Sequence, residues 1–326
     1  MVIFFSLSGD GWARKKGYVP GKHECDWFGI TCLRGLIFTI DLEKNSLHGQ
    51  LPKEIGTLSR LNVLKLTGNH IHGIIPREVG ELKKLSQLEL DQNEITGTIP
   101  QEVGNCKTLN ILFLSGNKLN GTIPSSIGNI ISLNELDVDR NQLSGTIPPE
   151  LLGLLNLKKL FVYNNRLSGS IPSGIDRLKS MKELRLDQNH FNGTIPPSIG
   201  NLTKLTRLDL GVNALSGMIP SSFQRLSSLV EITLIHNMLS GTIPDFFEFF
   251  SHVEIIGLSV NPINGTIPSF LGNLTRLQKL TLSSTNLTGS VPEGICSLNL
   301  TSLTADCGGD NPEIVCSCCT KCFPEE

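Results

Sequence analysis

The sequence predicts an α/β solenoid, a coil built from eleven in-register copies of one turn, and three observations carry that expectation. A 24-residue skeleton, L-x-L-x-x-N-x-L-x-G-x-I-P, recurs with no insertion. Its glycine returns at every 24th position from Gly49 to Gly289, and its proline from Pro52 to Pro292. The nine cysteines gather at the two ends of the array and leave only Cys106 inside it, as disulfide-closed end caps require.

Each position of the repeat has a mechanical role. In the copy starting at Leu184, Leu184 and Leu186 alternate with Arg185 and Asp187. The leucines therefore point inward from a short strand and the other two point out. Copies of the strand stack about 4.8 Å apart into one parallel sheet. The asparagine column, Asn45 to Asn261, supplies a donor and an acceptor to backbone that would otherwise be buried unpaired where the chain leaves the strand. At the eleventh place stands Thr285, whose hydroxyl keeps part of that capacity. Gly193 permits a backbone shape that a Cβ forbids, and Pro196 stops further pairing. The apolar spacing of Ile199, Leu202 and Leu205 then reads as a short helical turn that closes the coil. No copy buries its apolar edge alone, so stability is close to additive along the stack and the ends must be capped. The fold class is a right-handed leucine-rich-repeat superhelix: a parallel concave β-sheet, short 3-10 or helical turns on the convex side, and cysteine-closed caps.

Unbroken register over 326 residues argues for one elongated domain. Residues 1–36 form an N-terminal cap, 37–295 hold the eleven repeats, and 296–326 hold a degenerate strand around Leu303–Ala305, shifted by one residue, and a cysteine-rich cap. A net charge of −2 gives a nucleic-acid partner no electrostatic support. No apolar run is long enough to span a bilayer. The opening Val2-Ile3-Phe4-Phe5 is too short for a secretory h-region, which conflicts with the oxidising environment implied by the cysteines; the expectation is a chain that starts late.

The cap segment Cys25-Asp26-Trp27-Phe28-Gly29-Ile30-Thr31-Cys32 resembles the C-x-W-x-G-V-x-C cap of plant-type leucine-rich-repeat proteins. The L-x-G-x-I-P repeat resembles the same class, which includes receptor-kinase ectodomains and secreted polygalacturonase-inhibiting proteins. The resemblance covers nearly the whole chain. It implies an extracellular or cell-surface location, a Cys25–Cys32 disulfide, a cap helix cut short by the Met1 start, and binding through the concave sheet. The tail Cys307…Cys316-Ser-Cys318-Cys319-Thr-Lys-Cys322 departs from the receptor pattern and is similar to the endings of secreted microalgal repeat proteins. Cys296, Cys307, Cys316, Cys318, Cys319 and Cys322 allow 15 pairings, among which sequence does not choose. Disulfides are preferred to zinc there, because structural zinc takes two well-spaced pairs. Cys106 occupies a leucine column and reads as a buried free thiol.

The register also names the open face of the strands. Between the inward leucines lie Phe113, Asp137, Phe161, Arg185 and Asp209; the next outward column holds Asp91, Ser115, Asp139, Tyr163 and Asp187. Phe113, Phe161 and Tyr163 are large aromatics at positions expected to be solvated. Asp137, Asp139, Arg140, Arg185, Asp187 and Arg207 surround them, with Glu89, Asp91 and Lys159 nearby. An aromatic anchor with a mixed-charge rim is the composition of a recognition patch; cross-strand neighbours that merely tolerate aromatics are the bland alternative. Asp91, Asp139 and Asp187 fall in alternate repeats, about 10 Å apart at two strand spacings, so avoidance of like-charge stacking is preferred to calcium binding. His48 and His72 share a column, with His70 close by, but no acidic partner is evident and no metal site is expected. On the convex side, Phe246, Phe249 and Phe270 suggest either an apolar contact patch or local packing. Glycosylation sequons stand at Asn120, Asn192, Asn201, Asn264, Asn273, Asn286 and Asn299.

No P-loop, H-E-x-x-H, G-x-S-x-G or kinase element occurs, so neither enzymatic activity nor a cofactor is expected. The expected function is recognition of a protein, peptide or glycan on the concave face, in signalling or defence. The alternatives are an inhibitor of a polysaccharide-degrading enzyme, a truncated receptor-kinase ectodomain, and a structural wall or adhesion protein.

Overall fold

The computed structural model describes residues 6–8, 11–17, 23–309 and 312–324; the Val2–Phe5 run lies outside them. The described residues fall into two compact units, Met1–Leu167 and Ser168–Glu326.

In the first unit an antiparallel pair, Ile30–Leu33 with Leu36–Asp41, opens the sheet. Parallel strands Val63–Lys65, Gln87–Glu89, Ile111–Phe113, Glu135–Asp137 and Lys159–Phe161 follow. The second unit repeats the arrangement with Glu183–Arg185, Arg207–Asp209, Glu231–Thr233, Ile255–Gly257, Lys279–Thr281, Ser302–Ala305 and Lys321–Cys322. Inward leucines such as Leu112, Leu136 and Leu160 have no exposed surface, and each contributes roughly 1.5–3 kcal/mol of burial. The proline of each repeat lies in extended backbone and admits a 3-10 turn, as at Pro124 before Ser125–Asn129. The degenerate strand pairs Leu303 with Leu280, a separation of 23 residues that confirms the one-residue shift.

The asparagines form the expected ladder. Asn69 Oδ1 accepts from the amides of Asn45 and Leu47, while its Nδ2 donates to the carbonyls of Leu42 and Leu66. At the end of the ladder Thr285 Oγ1 donates to Leu282 O at 2.8 Å. The acceptor role passes to Asp306, whose carboxylate takes the amides of Ser284 and Thr285 at 2.7 and 3.0 Å.

Two features are invisible in the repeat pattern. Strands on the main sheet pair residues 24 apart, but the second row of short strands pairs residues 22 apart, as in His48 with His70 and Asn192 with Ala214. A sequence column is therefore a diagonal there. The residue before each ladder asparagine has a positive φ: glycine supplies it at Gly68 and Gly116, whereas Arg140 (φ 48°), Val212 (φ 53°) and Val260 (φ 56°) adopt it despite their Cβ.

Both ends are capped. Trp12 and Trp27 are buried, with Trp12 Nε1 donating to Leu7 O at 2.6 Å, and Cys25 pairs with Cys32. The tail resolves into Cys296–Cys318, Cys307–Cys322 and Cys316–Cys319. Sulfur atoms of Cys307, Cys316 and Cys319 lie within 4.8 Å of one another, but each is already in a disulfide and offers no thiolate to zinc. Cys106 is a buried free thiol, its pKa pushed up to about 11 by burial. Among the described residues no helix is long and apolar enough to cross a membrane.

Candidate functional site: the outward face of the strands

In the first unit the strand register sets Phe113 beside Asp137 and Asp137 beside Phe161. The three side chains share one face at about 4.8 Å per step, and both phenyl rings are half-buried. One column further along, Asp139 and Tyr163 are not solvated as the alternation implies: they are 4% and 8% exposed. The chain bends out of the strand at this column, and the left-handed Arg140 that follows Asp139 reaches across to the next repeat. Its guanidinium lies 5.5 Å from the centre of the Tyr163 ring and its Nε 3.9 Å from Asp139 Oδ1. Tyr163 is thus a partly covered wall of the patch rather than an exposed anchor.

Electrostatics in this unit are dominated by carboxylates. The Asp139 amide donates to Asp137 Oδ1 at 3.1 Å, while Asp139 Oδ1 is buried with no hydrogen-bond donor. Burial, reinforced by the neighbouring Asp139 and Asp91 charges, pushes the Asp137 carboxyl up to about 7. Burial likewise raises Asp91, against the Thr67 hydroxyl that donates to it at 2.7 Å. The lysines nearby are engaged: Lys159 with Glu135 at 3.4 Å and Lys65 with Glu89 at 3.0 Å.

The second unit holds Arg185, Asp187 and Arg207. Arg185 reaches Asp187 at 3.5 Å and Asp209 at 3.7 Å, and Asp187 is only 4% exposed. Arg207 pairs with Glu231 at 2.7 Å. Desolvation and the Asp187 charge outweigh the Arg185 guanidinium and hold Asp209 up at about 7. Asp209, on the open face but outside the expected patch, and Glu231 belong to this cluster; they share outward columns with Arg185 and Arg207 respectively.

Elsewhere, His48 stacks on His70 with ring centres 4.6 Å apart, and Glu94 sits 3.9 Å from His70. The expected lack of an acidic neighbour is corrected by the 22-residue stagger, which brings Glu94 alongside His72. Phe246 packs against Phe247 and Phe250 in the interior, while Phe249 is 54% exposed. Of the sequon asparagines, Asn120, Asn192, Asn264, Asn273, Asn286 and Asn299 are exposed. Asn201 is half-buried, its side chain engaged by Asp176 and Arg225.

Sequence comparison decides the family. Models described as Leucine rich repeat match residues 38–95 and, separately, 108–130, 132–154, 156–178, 180–202, 204–226 and 276–298, together more than half of the chain. The chain belongs to the leucine-rich-repeat family. It is 50% identical over 44 residues to the Leucine-rich repeat receptor protein kinase EMS1 of Arabidopsis thaliana, 14% of this chain and 4% of that protein. Its fold is similar to the Arabidopsis receptor kinase HAESA, solved in complex with the peptide hormone IDA and the co-receptor SERK1. The TM-score is 0.75 at 28% identity, covering 88% of this chain and 53% of that one. A second similar structure is the plant peptide hormone receptor RGFR1 in complex with RGF2, with TM-score 0.62, 30% identity, and coverage of 86% and 52%. A third is a plant ice-binding protein, with TM-score 0.68, 26% identity, and coverage of 89% and 86%. This leucine-rich-repeat chain spans about half the length of the receptor structures it matches.

Proposed function

We propose that this leucine-rich-repeat chain is a non-catalytic, extracellular or cell-surface recognition protein that docks a peptide or an extended protein segment on the outward face of its strands. The observation that carries this reading is the row Phe113–Asp137–Phe161, two half-buried rings about a desolvated carboxylate on an otherwise polar face. Rigid aromatics at the centre of a patch with charges at its edge concentrate binding energy. The matched receptor structures hold peptide hormones, which supports a peptide as the ligand class. The test is an array of synthetic peptides probed with the purified chain. Phe113→Ala and Phe161→Ala should each weaken retention at least tenfold, with thermal unfolding shifted far less than by a core leucine truncation. Retention unchanged in both variants would remove the docking surface.

One observation favours a second reading. The residue after the repeat glycine is an exposed threonine at Thr98, Thr122 and Thr146 in the first unit and at Thr194, Thr242 and Thr266 in the second. Repeated hydroxyl and methyl groups along or beside the second row of short strands, interrupted by Met218, suit an ordered water lattice, and one matched structure is an ice-binding protein. Inhibition of ice recrystallisation by the purified chain, lost on Thr122→Lys, supports that reading; its absence counts against it.

A further inference from the structure

We propose that His48, His70 and His72, on two adjacent strands of the second row, form a surface site for a divalent transition metal ion. The site lies at the N-terminal end of that row, apart from the Phe113–Asp137–Phe161 face, and does not depend on the docking reading.

The 22-residue stagger assembles it. Repeat columns set His48 against His72, but the strands His48–Gln50 and His70–Gly73 pair His48 with His70 and Gln50 with His72. His70 and His72 alternate with the buried Ile71, so both imidazoles leave the strand on the face that carries His48. Neighbouring strands are about 4.8 Å apart and alternate residues of one strand about 6.6 Å apart, so one ion lies within reach of all three rings. His48 and His70 are already stacked, with ring centres 4.6 Å apart and planes 29° apart. Two metal–nitrogen bonds of 2.0–2.1 Å at a tetrahedral angle hold nitrogens roughly 3.3 Å apart. The two rings need only tip together, and all three histidines are exposed and unhindered.

The hydrogen bonding leaves the metal-binding nitrogens open. His48 Nδ1 is 2.9 Å from Ser46 O. A carbonyl only accepts, so the proton sits on Nδ1 and the lone pair on Nε2, the arrangement of an imidazole held ready for a metal. His70 Nδ1 faces Glu94 Oε1 at 3.9 Å, which likewise turns its Nε2 outward, and Glu94 is the register partner of His72. Lys118 holds the other Glu94 oxygen at 3.0 Å, so the carboxylate orients the ligands and supplies charge from behind them. Among the described residues neither His48 Nε2 nor the His72 ring has a hydrogen-bond partner. The scaffold does not require imidazoles here: the column of His48 and His72 continues with Thr96, Asn120 and Ser144. Imidazole nitrogens select zinc, copper or nickel over magnesium or calcium.

The ion would tie together two turns beside the cap, where the His48 amide donates to Leu7 O at 3.3 Å. The ends of a repeat stack are its weakest part, and an ion held only by the folded chain stabilises it.

The test is calorimetric titration of the full chain with Zn²⁺ and with Cu²⁺, using Mg²⁺ as the oxygen-preferring control, and electron paramagnetic resonance of the copper form. The substitutions are ones the repeats already accept: His48→Asn matches Asn120, His70→Gln matches Gln142 and His72→Thr matches Thr96. Thermal unfolding without metal should therefore be unchanged in each. Wild-type chain should bind Zn²⁺ and Cu²⁺ but not Mg²⁺, and Zn²⁺ should raise its unfolding temperature. Each substitution should weaken binding about tenfold or more, and the copper spectrum should lose nitrogen coupling in His48→Asn. His190→Gln, an exposed histidine elsewhere, should change neither readout. Undiminished affinity in His48→Asn and His70→Gln would overturn the site. So would an equal loss in His190→Gln, or a wild-type copper spectrum with a single coordinated nitrogen.

Discussion

In the first unit the strand positions between the inward leucines hold Phe113, Asp137 and Phe161 in register; in the last repeats of the second unit the matching positions hold Thr233, Gly257 and Thr281. The next column contrasts in the same way. Asp139 and Tyr163 on one side correspond to Ile235, Ser259 and Ser283 on the other, where the two serine hydroxyls satisfy each other at 3.1 Å. Beneath both faces the scaffold is alike: a buried aliphatic pair, a ladder asparagine (Thr285 in the last repeat), a left-handed residue and a short helical turn. What differs is only what points away from the core. Scaffold and surface are thus separable, and stability and recognition should respond to different substitutions.

The largest effects should be blind to the difference between the two faces. Leu136 and Leu280 are fully buried, one under each face. Truncation of either to alanine should cost about 2–5 kcal/mol in chemical denaturation. A markedly smaller cost at one of them would show that the two regions are not equivalent scaffolds.

The next effect should separate the faces through pH. Asp137 carries a folded-state pKa of about 7 against an ordinary 3.8. The folded state therefore binds the proton more tightly than the unfolded chain does. The resulting stabilisation is fully present below about pH 3.8 and is lost as pH rises through about 7. Asp137→Asn should remove this dependence and make the protein more stable at pH 8 by on the order of 2–4 kcal/mol. Thermal melts from pH 4 to pH 8 would show it as a flatter profile. Thr281→Ser, on the neutral face, should leave the slope of that profile unchanged.

The smallest effect concerns the left-handed turn. Val260 holds φ 56° where Gly116 holds the same place in another repeat. A β-branched side chain is strained there, by roughly 1–2 kcal/mol. Val260→Gly should therefore stabilise slightly, by about 0.5–1 kcal/mol once the added freedom of the unfolded chain is subtracted. A loss of stability would mean that the exposed valine contributes packing worth more than the strain.

The parts of the fold legible in the sequence were those fixed within one repeat. The leucines, the ladder asparagine, the 3-10 turn after each proline and the buried Cys106 each follow from local geometry and burial. The 22-residue stagger of the second strand row was hidden, because it depends on how far the chain travels between strands rather than on any one residue. It set Glu94 alongside His72, which lies in a different repeat column. Tyr163 misled because alternation describes a flat strand, whereas the chain is already bending at that residue and Arg140 folds over its ring. Asp306 could not be foreseen as the end of the ladder, since the register shifts before it. The tail disulfides depend on contacts among three short segments, which spacing alone does not encode.

Site-specific photocrosslinking tests the central claim most directly. A benzoylphenylalanine placed at position 113 and, in a separate protein, at position 281 would be irradiated with an array-selected peptide. Adducts should form at position 113 and be suppressed by excess unlabelled peptide, with little or none at position 281. Equal labelling at the two positions, or labelling confined to position 281, would contradict a recognition surface set by the aromatic and acidic row.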